Sequence, residues 1–411
     1  MTKSELTHEQ VRRDADAIFD WTRAIRRTLH RRPELGFQEF ETAATIRAVL
    51  DSLGIPYRHG IAGTGIVATL GTGSGPCVAL RADMDALPIT EDSGVPFASE
   101  IPGRMHACGH DCHTAMLLGA ARLLKQHEAH LAGTVRLVFQ PAEELGQGAV
   151  RMINEGALDG VPIERMLGLH IWPPLATGTI ASRAGAFLAG CGEPLIEIEG
   201  VGGHAALPHR AVDPVVTAAK IIVEAQTLVS REVDPMTPAV VSITTVHGGE
   251  ATNVIPPRVN LTGTIRALSN DVLAHLAGRL EAMARDVALA NRCQARMTLA
   301  NGLQPATVND ERVWRLVQVF ARGMVPADQV IEIPPIMGSE DFAAYGASAP
   351  SCFVFLGCGG ADGGAAYGVH HPKMIVDERV LPIGVALHAL FAMEALGAVA
   401  GEERSRALPP T

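Results

Sequence analysis

The sequence predicts an α/β protein of two domains, one of them discontinuous. Three observations carry that reading. Short apolar runs rich in β-branched residues alternate with longer helical patterns along most of the chain. Between residues 191 and 303 the order becomes strand, helix, strand, strand, helix, strand, a ferredoxin-like βαββαβ string that makes a unit of its own. Residues with ligand or acid–base chemistry crowd both before and after it, so 1–190 and 304–411 are expected to form one catalytic domain into which 191–303 is inserted.

Composition bounds the function. With 411 residues, 47% of them hydrophobic, the chain can bury a large core in each of two domains. A net charge of −10 without a basic block argues against nucleic acid or an anionic membrane as a partner. No apolar run reaches about 18 residues, so no membrane-spanning helix is expected. The N-terminus, Met1 to Gln10, is polar and has no signal-peptide core, and the seven cysteines lie between 77 and 358 without a regular framework. Both point to reduced thiols and a cytoplasmic location.

Residues 8–31 and 37–53 read as two amphipathic helices, separated at Arg32-Pro33 and ended by Gly54. Ile66–Leu70 and Cys77–Arg81 read as strands. The Gly-rich piece Gly71–Gly75 between them lacks the Gly-Lys-Ser/Thr of a phosphate loop and reads as a hairpin turn. The second strand runs on to Asp83 and Asp85, which share a face if it continues. They fit metal ligands, partners for the outer nitrogens of ligand histidines, or a solvated strand end. The second role is favoured, because a metal-bound imidazole normally has its other nitrogen held.

Residues 105–113, Met-His-Ala-Cys-Gly-His-Asp-Cys-His, pack three imidazoles, two thiols and a carboxylate ahead of an apolar helical run. Polar atoms this dense against a buried helix cost desolvation unless something pairs them, and a metal ion is the simplest partner. Cys108 and His110 can face one point from an extended loop. The plain alternative is a turn with a core thiol and a capping Asp. Strand Thr134–Gln140 then ends in Pro141-Ala142-Glu143-Glu144. Neighbours on an extended chain point opposite ways, so one glutamate can ligate while the other faces a water; an acidic pair at a helix start is the alternative. A further strand, Arg165–Leu169, ends at His170 and Trp172. Three strand ends thus carry ligand-type side chains, and sites in open α/β sheets form beyond such ends.

In the inserted unit, strands are expected over Pro194–Gly200, Ala239–His247, Val259–Leu268 and Cys293–Ala300, with helices over Asp213–Arg231 and Asn270–Asn291. His204 in a Gly-Gly-His loop, Asn253, and Arg266 in a strand are candidates for an anionic substrate group. Each reads equally as a loop His, a turn Asn or a snorkelling Arg. Beyond it come helix Asp310–Gly323, strand Gln329–Ile333, Ser339 as the cap of a short helix, and strand Cys352–Leu356. The Gly-rich stretch Gly357–Gly368 reads as an adaptable wall beside His370-His371, and a last helix covers Val380–Leu396.

Taken together, the chain resembles the M20 metallopeptidases, in the aminoacylase-like branch with hippurate hydrolase and the indole-acetyl-amino-acid amidohydrolases. The likeness spans about residues 15–400. It rests on RADMDALP at 81–88, MHACGHD at 105–111, FQPAEE at 139–144, GLHIWP at 168–173, GGHAA at 202–206, NVIP at 253–256, GTIRAL at 263–268, GSEDF at 338–342 and HHPK at 370–373. The resemblance implies a Zn-peptidase-like mixed-sheet catalytic domain with a lid and dimerisation domain, assembled as a homodimer or homotetramer. It implies that Cys108, His110, Glu144, His170 and His370 hold two divalent metal ions per subunit (Zn or Mn, with Co or Ni admitted by the donor set). Glu143 matches the general base, activating a water that bridges the metals, with the Cys108 thiolate as the shared ligand. His204 matches an oxyanion stabiliser, and Asn253, Arg266 and Gly338 match substrate contacts. Cys112, His113 and His371 carry no assigned role. The implied reaction is hydrolysis of an N-acyl amino acid to a carboxylic acid and a free amino acid. Dipeptidase or carboxypeptidase activity is the alternative within the family; a Cys108 thiol hydrolase and a non-catalytic metal-binding protein are the alternatives outside it.

Overall fold

The computed structural model describes residues 7–361 and 367–407; residues 362–366, inside the Gly-rich stretch expected beside His370, lie outside the described residues. The chain divides into two compact units. One holds residues 1–185, 308–334 and 344–411, and the other 186–307 and 335–343. The expected insertion, 191–303, falls inside the second unit, which also takes in the stretch bearing Gly338 and Ser339.

The first unit opens with α1 (His8–Ala17) and α2 (Phe19–Arg31), where one helix was expected. The break is Ile18, whose backbone leaves the helical region (φ −101°, ψ 11°) while its N–H turns back to the Ala15 carbonyl. Neither Gly nor Pro marks it. Then come α3 (Phe40–Ser52), β1 (Tyr57–Ile61), β2 (Gly65–Gly71), β3 (Cys77–Asp83), α4 (His110–Gln126), β4 (Thr134–Gln140), α5 (Gly148–Asn154), β5 (Ile163–Trp172) and β6 (Ile180–Ser182).

After β7 (Gly185–Leu188), the second unit runs β8 (Gly190–Glu199), β9 (Gly203–His204), α6 (Pro214–Glu232), β10 (Ala239–His247), β11 (Val254–Ile255), β12 (Arg258–Ala267), α7 (Asn270–Ala290) and β13 (Gln294–Gln304). Its four-stranded antiparallel sheet has the order β10-β12-β8-β13. Alternate residues of β8, among them Ile196 and Ile198, are buried in one core with Ile221 and Leu228 of α6 and Leu276 and Leu280 of α7. Asp213 caps α6 and Ser269 caps α7 through their side-chain oxygens, as their types favour. The expected loop around His204 is instead the short strand β9, paired antiparallel to β11 with His204 opposite Val254.

The chain returns through β14 (Thr307–Asn309) to α8 (Glu311–Arg322), β15 (Val330–Glu332), β16 (Ser351–Gly357) and α9 (Leu381–Ala407). The first unit's mixed sheet has the order β1-β2-β4-β3-β5-β16-β6-β15. β2 and β3 are therefore not a hairpin. β4, buried at every position, lies between them, antiparallel to β2 and parallel to β3. The Gly71–Gly75 loop crosses the start of β4, where Thr72 N–H donates to the Gly133 carbonyl at 3.1 Å and Thr134 N–H to the Pro76 carbonyl at 2.9 Å.

α9 bears on the expectation that no helix spans a membrane. It is long and apolar enough to cross a membrane by length and composition, yet 72% of that stretch is buried inside the protein. His388 and Glu394 interrupt its apolar letters, which is why no unbroken run was visible. Val385, Leu387, Leu390 and Phe391 pack in the same core as Leu117, Leu118 and Leu124 of α4, each side chain contributing on the order of 1.5–3 kcal/mol. α9 and α4 approach closely at Gly119, where an added Cβ would lie 2.4 Å from Val385 Cγ2. Gly119→Leu should lower stability by about 1–3 kcal/mol through overpacking. A fall in the urea midpoint at constant m value is the expected readout; an unmoved midpoint would contradict this contact.

Candidate metal centre

The carboxyl ends of β3, β4 and β5 converge with the start of α4. Gly109 makes the turn into that helix with φ 83°, and a Cβ there would meet Ile171 Cγ1 at 2.5 Å, so glycine is required on both counts. The turn sets Cys108 beside β5, with its sulfur 3.2 Å from His170 Nε2. His110 Nε2 lies 4.0 Å from an oxygen of Glu143 and 4.0 Å from Glu144 Oε1, and His370 Nε2 lies 3.4 Å from the same Glu144 oxygen. Two groups of donor atoms, Cys108–His110–His170 and Cys108–Glu144–His370, each fall within 4.8 Å, and Cys108 is common to both. Ala142 (φ 53°) and His370 (φ 64°), both non-glycine residues with positive φ, border this cluster. Strain of that kind collects at functional sites.

The two aspartates after β3 hold the donors. Asp85 Oδ1 accepts from His110 Nδ1 at 3.2 Å, and its two oxygens accept the backbone N–H groups of Glu143 and Glu144 at 3.0 Å each. One carboxylate thus orients an imidazole and the loop that carries both glutamates. Asp83 accepts from Arg81 at 2.7 Å and from His113 Nδ1 at 2.6 Å. His170 Nδ1 donates to the Ile171 carbonyl at 2.6 Å, which leaves Nε2 as the bare nitrogen facing Cys108.

The electrostatics ask for a cation. Burial pushes the Cys108 thiol well above its usual range, and Glu144, Glu143 and Asp83 push it further. Burial opposes charge on His110, yet Asp83, Asp85 and Glu144 raise it to about 10. Burial also holds His170 far below the ordinary imidazole range. Among the described residues, neither His110 Nε2 nor Glu144 Oε1, both buried, has a hydrogen-bond partner. Such atoms are costly unless paired, and soft and hard donors aimed at one space fit divalent cations.

Sequence reasoning missed the groups that anchor this cluster. Asp111 is buried in an ion pair with Arg26 at 2.7 Å and bonds His30 Nδ1 at 2.8 Å; His30 Nε2 in turn lies 3.1 Å from Glu91. Glu39, fully buried, accepts from Thr64 at 2.6 Å and from Ala142 N–H at 2.9 Å, and burial pushes it up to about 7. These partners lie far off in sequence, so no local pattern marked them. Cys112 packs into the core on α4. His371 stacks on Tyr367 with centroids 4.1 Å apart and accepts from Lys373 N–H. Trp172 stacks on Phe355 with centroids 4.2 Å apart, 6.1 Å from the His170 ring.

Within the second unit, His204 and Asn253 are neighbours: Ala205 N–H donates to the Asn253 carbonyl at 3.0 Å, and both residues are exposed. Arg266 donates to the Met337 carbonyl at 2.9 Å, to Ser339 Oγ at 3.3 Å and to Thr264 at 3.2 Å. The Gly338 carbonyl accepts from Ala189 N–H at 2.8 Å. Ser339 is therefore beside Arg266 rather than capping the next helical turn, where the Glu340 carboxylate accepts from Phe342 N–H instead.

A family model described as peptidase family M20/M25/M40 matches residues 79–394. The chain is 44% identical over 378 residues to IAA-amino acid hydrolase ILR1-like 4 of Arabidopsis thaliana, covering 91% of this chain and 86% of that protein. It is 42% identical over 358 residues to N-acetyl-L-cysteine deacetylase of Bacillus subtilis, covering 87% and 84%. The crystal structure of Bacillus subtilis YXEP protein, described as a dinuclear metal binding peptidase from M20 family, superposes with a TM-score of 0.79 at 35% identity over 93% of this chain and 99% of that one.

The ion pair behind the 105–113 loop sets a pH dependence. Burial would raise Asp111, but Arg26 and His30 hold it below the ordinary carboxylate range. Its contribution is present above the unfolded value of about 3.9 and is lost as pH falls toward the folded one. Arg26→Met should cost about 3–5 kcal/mol near neutral pH by leaving the buried Asp111 carboxylate with His30 in place of a full guanidinium charge. It should also flatten the acid limb of stability in urea titrations of the metal-free protein. An acid limb as steep as wild type would contradict the pairing.

Proposed function

This chain belongs to peptidase family M20/M25/M40, and from that premise we propose that it hydrolyses the amide bond of N-acyl amino acids with two divalent cations. The observation that carries the reading is Cys108, shared by two donor groups, with Glu143 beside them on a loop that Asp85 holds. His110 and His170 would hold one ion, Glu144 and His370 the other, with Cys108 common to both. Zn or Mn suits the donors, and Co or Ni is compatible. When bound, such cations polarise a carbonyl and lower the pKa of water.

The protein's own residues then move the protons. The Glu143 carboxylate takes one from the attacking water and returns it to the leaving amine, so the amine departs neutral. Glu144 keeps its charge for ligation: burial works against that charge, but His370 and His110 hold its carboxyl low. His204 is assigned the developing oxyanion, and Asn253, Arg266 and Gly338 the substrate carboxylate. The likeness to enzymes named for IAA-amino acids and N-acetyl-L-cysteine supports this substrate class. The second unit is proposed to act as lid and dimerisation domain in a homodimer or homotetramer. Seven free, buried thiols are in keeping with a reducing, cytoplasmic setting. A thiol hydrolase is disfavoured, since burial and the surrounding carboxylates oppose a Cys108 thiolate without a cation.

Glu143→Gln should keep the metal content and urea midpoint while turnover drops by roughly 10²–10⁴-fold. Chelation should abolish hydrolysis of N-acetyl, N-benzoyl and indole-acetyl amino acids in the same assay, with recovery on adding Zn or Mn. Wild-type turnover in the variant would overturn the role of Glu143; activity that survives chelation would overturn the metal reading.

A further inference from the structure

We infer that His113 is a positioning residue that sets the ligand nitrogen of His170 through the backbone of Ile171. The inference rests on the proposed metal reading for its consequence, and on hydrogen bonds alone for its geometry. β5 pairs with β3 only as far as Gly168, opposite Arg81. The end of β5 that carries His170 therefore runs past its neighbour. There the buried His113 ring takes the missing strand's place: Ile171 N–H donates to His113 Nε2 at 2.8 Å. An N–H can only donate, so Nε2 is bare and the ring proton sits on Nδ1. Nδ1 donates to Asp83 Oδ1 at 2.6 Å.

Asp83 is itself fixed by Arg81 at 2.7 Å, and Thr114 on α4 ties its backbone carbonyl at 2.9 Å. Both His113 nitrogens are thus spent, and His113 is a neutral strut rather than a ligand, although Asp83, His110 and His113 lie close enough to suggest a third donor group. Ile171, held at its N–H by His113, offers its carbonyl to His170 Nδ1 at 2.6 Å. That bond places the His170 proton on Nδ1 and leaves Nε2 bare toward Cys108. The His113 and His170 rings also meet edge to face, with centroids 4.6 Å apart, which restrains rotation of the ligand ring. Partners of this kind orient metal-bound imidazoles.

Two substitutions separate the two bonds. The amide oxygen of His113→Gln can occupy the Nε2 place and accept from Ile171. The amide of His113→Asn reaches only the Nδ1 place and serves Asp83. Co(II) uptake is measured by competition with a chelator, and the Cys108 thiolate-to-cobalt and ligand-field bands by absorption. His113→Asn should weaken Co(II) binding by about 10–100-fold and shift those bands, as loss of an orienting partner does. His113→Gln should stay near wild type, and metal-free urea midpoints should not reproduce that ranking. Equal behaviour of the two variants, or an Asn variant with wild-type affinity and spectrum, overturns the inference. Ring-nitrogen NMR of the wild-type protein tests it without substitution: a His113 proton on Nε2 also overturns it. If the wild-type protein binds no Co(II), the metal reading falls and takes this consequence with it. If the wild type binds and the variants do not differ, only the role of His113 falls.

Discussion

A concentration of buried acidic acceptors organises the first unit. Asp83, Asp85, Glu143 and Glu144 surround Cys108, His110 and the bare nitrogen of His170, and Arg81 pairs with Asp83. A buried assembly of this sign is unfavourable until positive charge enters. In the metal-free chain that charge is a proton, which is why the carboxylates raise His110 to about 10. Divalent cations in its place would free the imidazole and the thiol for ligation. The same imbalance that makes the site costly when empty would give it affinity for such cations.

The fold bears this cost by over-determining the donors. α4 is buried along nearly its whole length and packed against α9, so the turn at Gly109 cannot drift. Asp111 pins that turn to α2 through Arg26, and Glu39 pins the loop after β4 through Ala142. Asp85 couples the two loops to each other, since one carboxylate serves His110, Glu143 and Glu144 together. Preorganisation here is a matter of hydrogen bonds between strand ends, each donor being held by a group that is itself held.

Much of this was legible in the sequence. β4 and β10 fall where apolar, β-branched letters put them, and three strand ends with ligand-type residues pointed to one site, because side chains at the carboxyl ends of neighbouring strands meet. Asp85 as the partner of His110 follows from what a ligand histidine requires. What was hidden depends on pairings distant in sequence. Arg26 and Asp111 are 85 residues apart, and Glu39 and Ala142 are 103. The Gly71–Gly75 loop reads as a hairpin only until β4 is placed between its arms, which local letters do not specify. Ile18 ends a helix with no breaker in sight. His113 carried no assigned role because residue type does not reveal that both its nitrogens are occupied.

The proposed centre stands or falls with Cys108 as the donor common to two cations. Diffraction from crystals grown with excess zinc, recorded on both sides of the zinc absorption edge, measures that directly. Two anomalous peaks should appear, both in contact with the Cys108 sulfur, one also touching His110 and His170 and the other Glu144 and His370. Peaks that leave out Cys108, or ordered crystals without zinc at these five side chains, would contradict it.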